Sequence, residues 1–192
     1  MGAMRIPGRT FLAACTLALA ASLLAACTPS HPVTDPTKTS KPTPTPVFTS
    51  DADALAAATD RFKKYESASD RVGQNGWRDT TPVRPFVSDT GYQHEVNSAT
   101  KYRAQKAHAI GNTVINNTEL ESHREENGVA TVRMYVCEDL SAVDVIDGSG
   151  KSLIDPSRAD FVAFVTELRG KSSTSLVIQS LDYWSGGGIC KQ

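Results

Sequence analysis

The sequence has almost no excess of either charge. Twenty Lys and Arg stand against twenty-one Asp and Glu, a formal net charge of −1 over 192 residues. A protein that grips nucleic acid through its phosphates needs a basic surplus, so a nucleic-acid partner is excluded. Long apolar runs are also scarce. Beyond the N-terminus nothing approaches the ~20 consecutive apolar residues of a spanning helix, which excludes a multi-span membrane protein. Histidine and cysteine number four each. His94, His108 and His123 are spaced too widely for an H-x-x-x-H or H-E-x-x-H site, and the cysteines are too few for a zinc cluster. The run Asp144-Val145-Ile146-Asp147-Gly148 puts apolar Ile146 where a calcium loop needs an oxygen ligand, so it reads as a plain turn. There is no P-loop and no G-x-S-x-G, and Gly186-Gly187-Gly188 precedes no helix. No metal or cofactor is expected.

What the sequence does have begins with three zones in residues 1–26. Arg5 and Arg9 give a positive start, Phe11 to Ala26 is apolar, and Leu24-Ala25-Ala26-Cys27 closes the run with small residues. The order is that of a secretory signal. With its cysteine, LAAC resembles the lipobox of bacterial prolipoproteins. That resemblance implies diacylglycerol on the Cys27 sulfur, cleavage before Cys27, and a protein held by lipid on the extracytoplasmic face of the membrane. The ordinary alternative is a plain secretory signal or uncleaved anchor in which Cys27 is incidental. Two acyl chains supply the anchoring that one chain cannot. Cys15 would leave with the signal. The mature chain would have 166 residues and a charge of −3.

Residues 27–49 follow as a linker headed by the lipidated cysteine. Six of the ten prolines lie between Thr28 and Thr49, with seven threonines. Proline supplies no backbone donor, and no periodic apolar face is present, so this reads as an extended, semi-rigid tether. At ~3.1 Å per residue it reaches roughly 70 Å. A glycosylated stalk is the alternative that Thr-Pro composition permits. His31 falls in this tether and reads as solvated.

One globular domain is expected over 50–192. Ser50 can cap a helix, Asp51 and Asp53 suit its positive end, and Leu55, Ala58, Phe62 and Tyr65 recur at helical spacing, predicting a helix over 51–69 broken at Gly73–Gly76. Pro82 and Pro85 limit residues 77–87 to a short helix or turn. Asp89 or Thr90 can cap a further helix to about Gln105. The period then changes to two. Strands are expected over 110–115, 118–124, 129–138, 142–146, 151–154, 159–168 and 175–184, with Asn127-Gly128 and Asp147-Gly148-Ser149-Gly150 as hairpin turns. Helices followed by a meander make an α+β layer, with helices packed on one mainly antiparallel, curved sheet.

That order, with Cys137-Glu138-Asp139-Leu140-Ser141 and the Asp147–Gly150 hairpin, resembles the NTF2-like (cystatin-like) cone, and more narrowly the small NTF2-like lipoproteins of Gram-positive envelopes. The sequence departs from that pattern in lacking Gly-x-Trp before its final strand.

After signal removal, Cys137 and Cys190 remain besides Cys27. Exported thiols oxidise, so the simplest reading is one Cys137–Cys190 disulfide; its rival is a reactive thiol at Cys137. Tyr65, Trp77, Phe86, Tyr92, Tyr102, Phe161 and Trp184 are candidates for a pocket inside the cone, with ordinary core filling as the competing reading. Two functional classes follow. One is a non-catalytic, lipid-anchored envelope protein that binds a protein partner or a small apolar ligand. The other is an enzyme resembling the ketosteroid isomerase and SnoaL branch of the fold. Its carboxylate and donor would be sought among Tyr65, Asp79, Asp89 and Asp139.

Overall fold

The computed structural model describes residues 45–191. The signal, Cys27, His31 and the tether up to residue 44 lie outside the described residues. Among the described residues no helix is long and apolar enough to cross a membrane.

Helix α1 runs over Asp51–Gln74. The Ser50 hydroxyl accepts the Asp53 amide at 3.1 Å, and Asp51 and Asp53 sit against the positive end. Its buried face carries Ala54, Ala58, Phe62, Tyr65, Ala68 and Val72. The helix passes through Gly73 instead of stopping short of it. A Cβ at Gly73 would lie 2.9 Å from the Ala109 Cβ, so this glycine serves close packing inside the helix. The break comes after it, where Gly76 takes φ +67°.

A short 3-10 helix spans Thr81–Phe86, and α2 spans Asp89–Ala104. Ser88 caps α2, accepting from the Gly91 amide at 3.2 Å. The cap is thus one residue earlier than Asp89, which instead pairs with Arg84.

Six strands follow: β1 His108–Ile110, β2 Val114–Glu126, β3 Val129–Asp139, β4 Asp144–Ile146, β5 Phe161–Gly170 and β6 Val177–Tyr183. The fold is α+β, as the sequence predicts. A four-stranded antiparallel sheet has the order β2-β3-β5-β6, and β1 pairs with β4 in a small second sheet. The strands expected over 110–115 and 118–124 are divided differently. The chain turns at Gly111, where φ is +77° and a Cβ would meet the Ala142 carbonyl oxygen at 1.8 Å. Beyond the turn, β2 is continuous with register shifts at Ile115/Asn117 and Leu120/Ser122. Asn127 and Gly128 both take positive φ, the conformation a tight β2–β3 hairpin requires. The strand expected over 151–154 reduces to one bridge, Ile146 to Ser152.

The inner face of the sheet presents Ala130, Val132, Met134 and Val136 from β3 and Leu168 from β5, all closed against α1 with Phe62, Val83 and Leu176. Packing starts before Ser50. Phe48 is buried and meets His123 edge-on, while the Val47 and Phe48 amides donate to the Glu125 carboxylate at 2.7 and 2.8 Å. The C-terminal tail crosses the other face. Trp184 packs on Tyr135, Ile189 is buried, and Cys190 is joined to Cys137 in a disulfide.

Candidate functional site

The aromatic candidates do not converge on one chamber. Trp77 and Tyr102 stack at 4.1 Å where α1 and α2 end. Phe86 lies under the Arg61 guanidinium and Tyr92 under that of Arg84. Phe86, Trp77 and Tyr92 pack around the main core. Phe161 opens β5 opposite Asp139, and Trp184 belongs to the outer face. Core filling accounts for most of this set.

Tyr65 is different, because it borders both a cluster of carboxylates and a groove. Its buried ring sends a hydroxyl from α1 to Glu95 Oε1 on α2 at 2.6 Å. Glu66, the next residue, is only 9% exposed, and Glu138 of β3 only 6%. Two periodicities bring these carboxylates inward. Glu66 lies one turn beyond Phe62 on the buried stripe of α1. Glu138 has the same parity on β3 as Val132, Met134 and Val136. Among the described residues, Glu138 Oε1 has no hydrogen-bond partner.

Burial and mutual repulsion set their protonation. Desolvation, then the Glu138 charge, holds the Glu66 carboxyl well above the ordinary carboxylate range. Glu138 is pushed up to about 7, first by burial and then by Asp70. Asp70 is raised by burial, although the Thr113 amide and hydroxyl donate to it at 3.0 and 3.1 Å. The Tyr65 phenol is held protonated by burial and by the surrounding carboxylates. The arrangement is a proton-holding acidic interior, in which neutral carboxyls stand where charges would be costly.

Beside it runs a groove of about 460 Å³ between α2 and β6. Val87, Ile178 and Leu181 supply apolar wall, and Tyr65, His94 and Glu95 supply polar groups. This mixture suits a small amphipathic ligand or a partner's side chain. Glu66 and Glu138 are not among its lining residues.

The carboxylates first considered from sequence have local tasks. Asp79 accepts the Thr81 amide, Asp89 pairs with Arg84, and Asp139 accepts the Ser141 amide. Asp147 Oδ1 accepts from the Ser149 and Lys151 amides in its turn. His94 is on the groove rim, His108 on β1, and His123 between Asp51 and Glu125. Among the described residues no three His, Cys, Asp or Glu side chains are grouped to hold a metal ion. Sequence reasoning missed Glu66, Glu95 and Glu138. The available signal was an acid at an inward position of each periodic pattern.

Cys137 and Cys190 lie 5.2 Å apart at Cα, inside the range of about 4.4–6.8 Å usual for disulfides, and their sulfurs are bonded. Cys137 is therefore no free thiol.

No family model matches the chain, and no curated protein matches it. Among solved structures, it is similar to the intermembrane-space region of the chloroplast protein ARC6. The TM-score is 0.47 at 9% identity, over 69% of this chain and 97% of that one. A de novo designed β-sheet protein, solved by NMR, gives a TM-score of 0.29 at 12% identity, over 72% and 96% of the two chains.

Proposed function

We propose that this is a non-catalytic lipoprotein of a bacterial cell envelope. In this reading Cys27 becomes the lipidated N-terminus, the Pro/Thr tether spans the distance from the membrane, and the domain works on the extracytoplasmic side as an NTF2-like binding module. Its ligand is a protein partner or a small apolar molecule, seated in the groove between α2 and β6.

The observation that carries the proposal is the Cys137–Cys190 disulfide. Structural disulfides persist in oxidising compartments, which is where a lipobox would deliver the chain. The order of helices and meander supports the NTF2-like assignment, as does a sheet that closes its inner face on α1. The composition of the groove supports binding.

An enzymatic reading in the ketosteroid isomerase and SnoaL manner draws on one observation, a Glu138 carboxyl near neutrality behind Tyr65. Binding is preferred because neither Glu138 nor Glu66 is among the residues that line the groove.

The test is labelled fatty acid supplied to cells that express the full chain. The wild type should take up label and Cys27→Ala should take up none. Equal labelling of both would contradict lipidation at Cys27. Cross-linking of the wild type in membranes, followed by mass spectrometry, then identifies the partner. Loss of the cross-link in Leu181→Arg would place it in the groove.

A further inference from the structure

At the end of α1 remote from Ser50 the surface has the opposite character. A cleft of about 520 Å³ is lined by Arg78, Arg103, Lys106 and His108, with Gln74 and Asn75. No aspartate or glutamate lines it. We propose that this cleft binds a phosphate-bearing ligand, either a phosphate or pyrophosphate group or a phosphodiester. The proposal does not depend on lipidation or on the groove.

Three separate segments build the cleft. The turn after α1 brings Arg78, the last turn of α2 brings Arg103, and the link into β1 brings Lys106, with His108 opening the strand itself. Arg103 is held in place from two sides. Its Nη1 donates to the Trp77 carbonyl and its Nη2 to Thr100 Oγ1, each at 3.0 Å. The carbonyl it uses belongs to a residue in left-handed conformation, Trp77 at φ +54°, fixed by its stack on Tyr102. Lys106 is likewise left-handed, at φ +52°. Gly148 packs on its side chain, and the Gly148 amide donates to the Gln105 carbonyl at 3.1 Å. Left-handed backbone at tryptophan and lysine is unfavourable and persists only where surrounding contacts enforce it. Here both instances flank one cleft and set its cations.

Helix C-termini attract cations, and that alone would place some basic residues here. Arg71 in the last turn of α1, and Lys101 and Arg103 in that of α2, answer to that attraction. Arg78 and Lys106 lie past both helix ends. Among the described residues, the ion pairs of Lys64, Arg84, Arg133 and His123 leave Arg78, Arg103 and Lys106 out. Asp79, next to Arg78 in the chain, accepts from Thr81, and Asp147, next to the Gly148 that packs on Lys106, accepts from Ser149 and Lys151. Two planar guanidinium forks and one ammonium around an open volume match the tetrahedral oxygens of a phosphate group, in a chain whose own net charge is −1. The volume leaves room for a body larger than a single phosphate.

The test is calorimetric titration of the full-length, detergent-solubilised protein at constant ionic strength. One arm uses inorganic pyrophosphate, and the other uses glycerophosphoglycerol, a lipid phosphodiester headgroup without its acyl chains. Binding of pyrophosphate alone assigns the site to phosphate or pyrophosphate groups, and binding of glycerophosphoglycerol assigns it to phosphodiesters. In either case the double variant Arg103→Gln/Lys106→Gln should bind at least about tenfold more weakly, while Arg169→Gln, on β5, should match the wild type. Arg78→Gln removes a lining charge without touching the Arg103 hydrogen bonds, so its weaker binding with unchanged Tm separates ligand contact from folding. No heat with either probe, or binding that survives the double variant and Arg78→Gln alike, would overturn the proposal.

Discussion

Cys137 and Cys190, 5.2 Å apart at Cα, join the outer face of β3 to the tail beyond β6. The closed segment spans 53 positions, for which chain entropy alone gives about 4 kcal/mol of stabilisation. Cys190→Ser should therefore unfold in less urea than the wild type, with a loss of about 2–4 kcal/mol. Reductant should lower the wild type to the same midpoint. Equal midpoints without reductant would show that the bond contributes nothing.

The acidic interior makes stability depend on pH. Glu138 has a folded pKa of about 7 against an ordinary 4.5, so the folded protein holds a proton that the unfolded chain has lost. Its favourable contribution is complete below the unfolded value and is lost as pH rises through the folded one. Glu66 is pushed in the same direction. Urea midpoints should fall between about pH 5 and about pH 8, and Glu138→Gln should remove about 3 kcal/mol of that fall. A profile identical to the wild type would contradict the protonated assignment.

Tyr65→Phe removes the donor to Glu95 and leaves the ring in place. Loss of this side-chain hydrogen bond predicts a cost of about 1–2 kcal/mol, read by thermal or urea unfolding. Tyr65→Phe with Glu95→Gln should cost less than the sum of the single changes, because both remove the same bond.

Much of this architecture was legible in the sequence. Ser50 and the α1 stripe announced the first helix, and the alternation from Ala130 to Val136 announced β3. The hairpin at Asn127-Gly128 and the pairing of Cys137 with Cys190 were legible too. What was hidden depends on contacts distant in sequence. Gly73 reads as a breaker until Ala109 packs on it, and Gly111 divides a strand because Ala142 leaves no room for a side chain. The carboxylates were obscured by type. An acid on an apolar stripe looks like an error in the pattern, whereas Glu66 and Glu138 occupy the interior by holding protons.

The domain boundary also moves. The sequence places the tether through Thr49, yet Phe48 is 7% exposed and Val47 is tied to Glu125. Limited proteolysis should leave a resistant fragment that begins no later than Val47. Phe48→Ala should lower stability by about 3 kcal/mol, as expected for an emptied aromatic site. A resistant fragment starting inside α1 would contradict this.

The most direct test of the whole account is the intact mass of the protein extracted from membranes, before and after reduction. The account predicts a chain that begins at Cys27, carries diacylglycerol there, and gains two hydrogens on reduction of Cys137–Cys190. A mass for a chain that retains residues 1–26, or for one that starts near Cys27 without lipid, would contradict it.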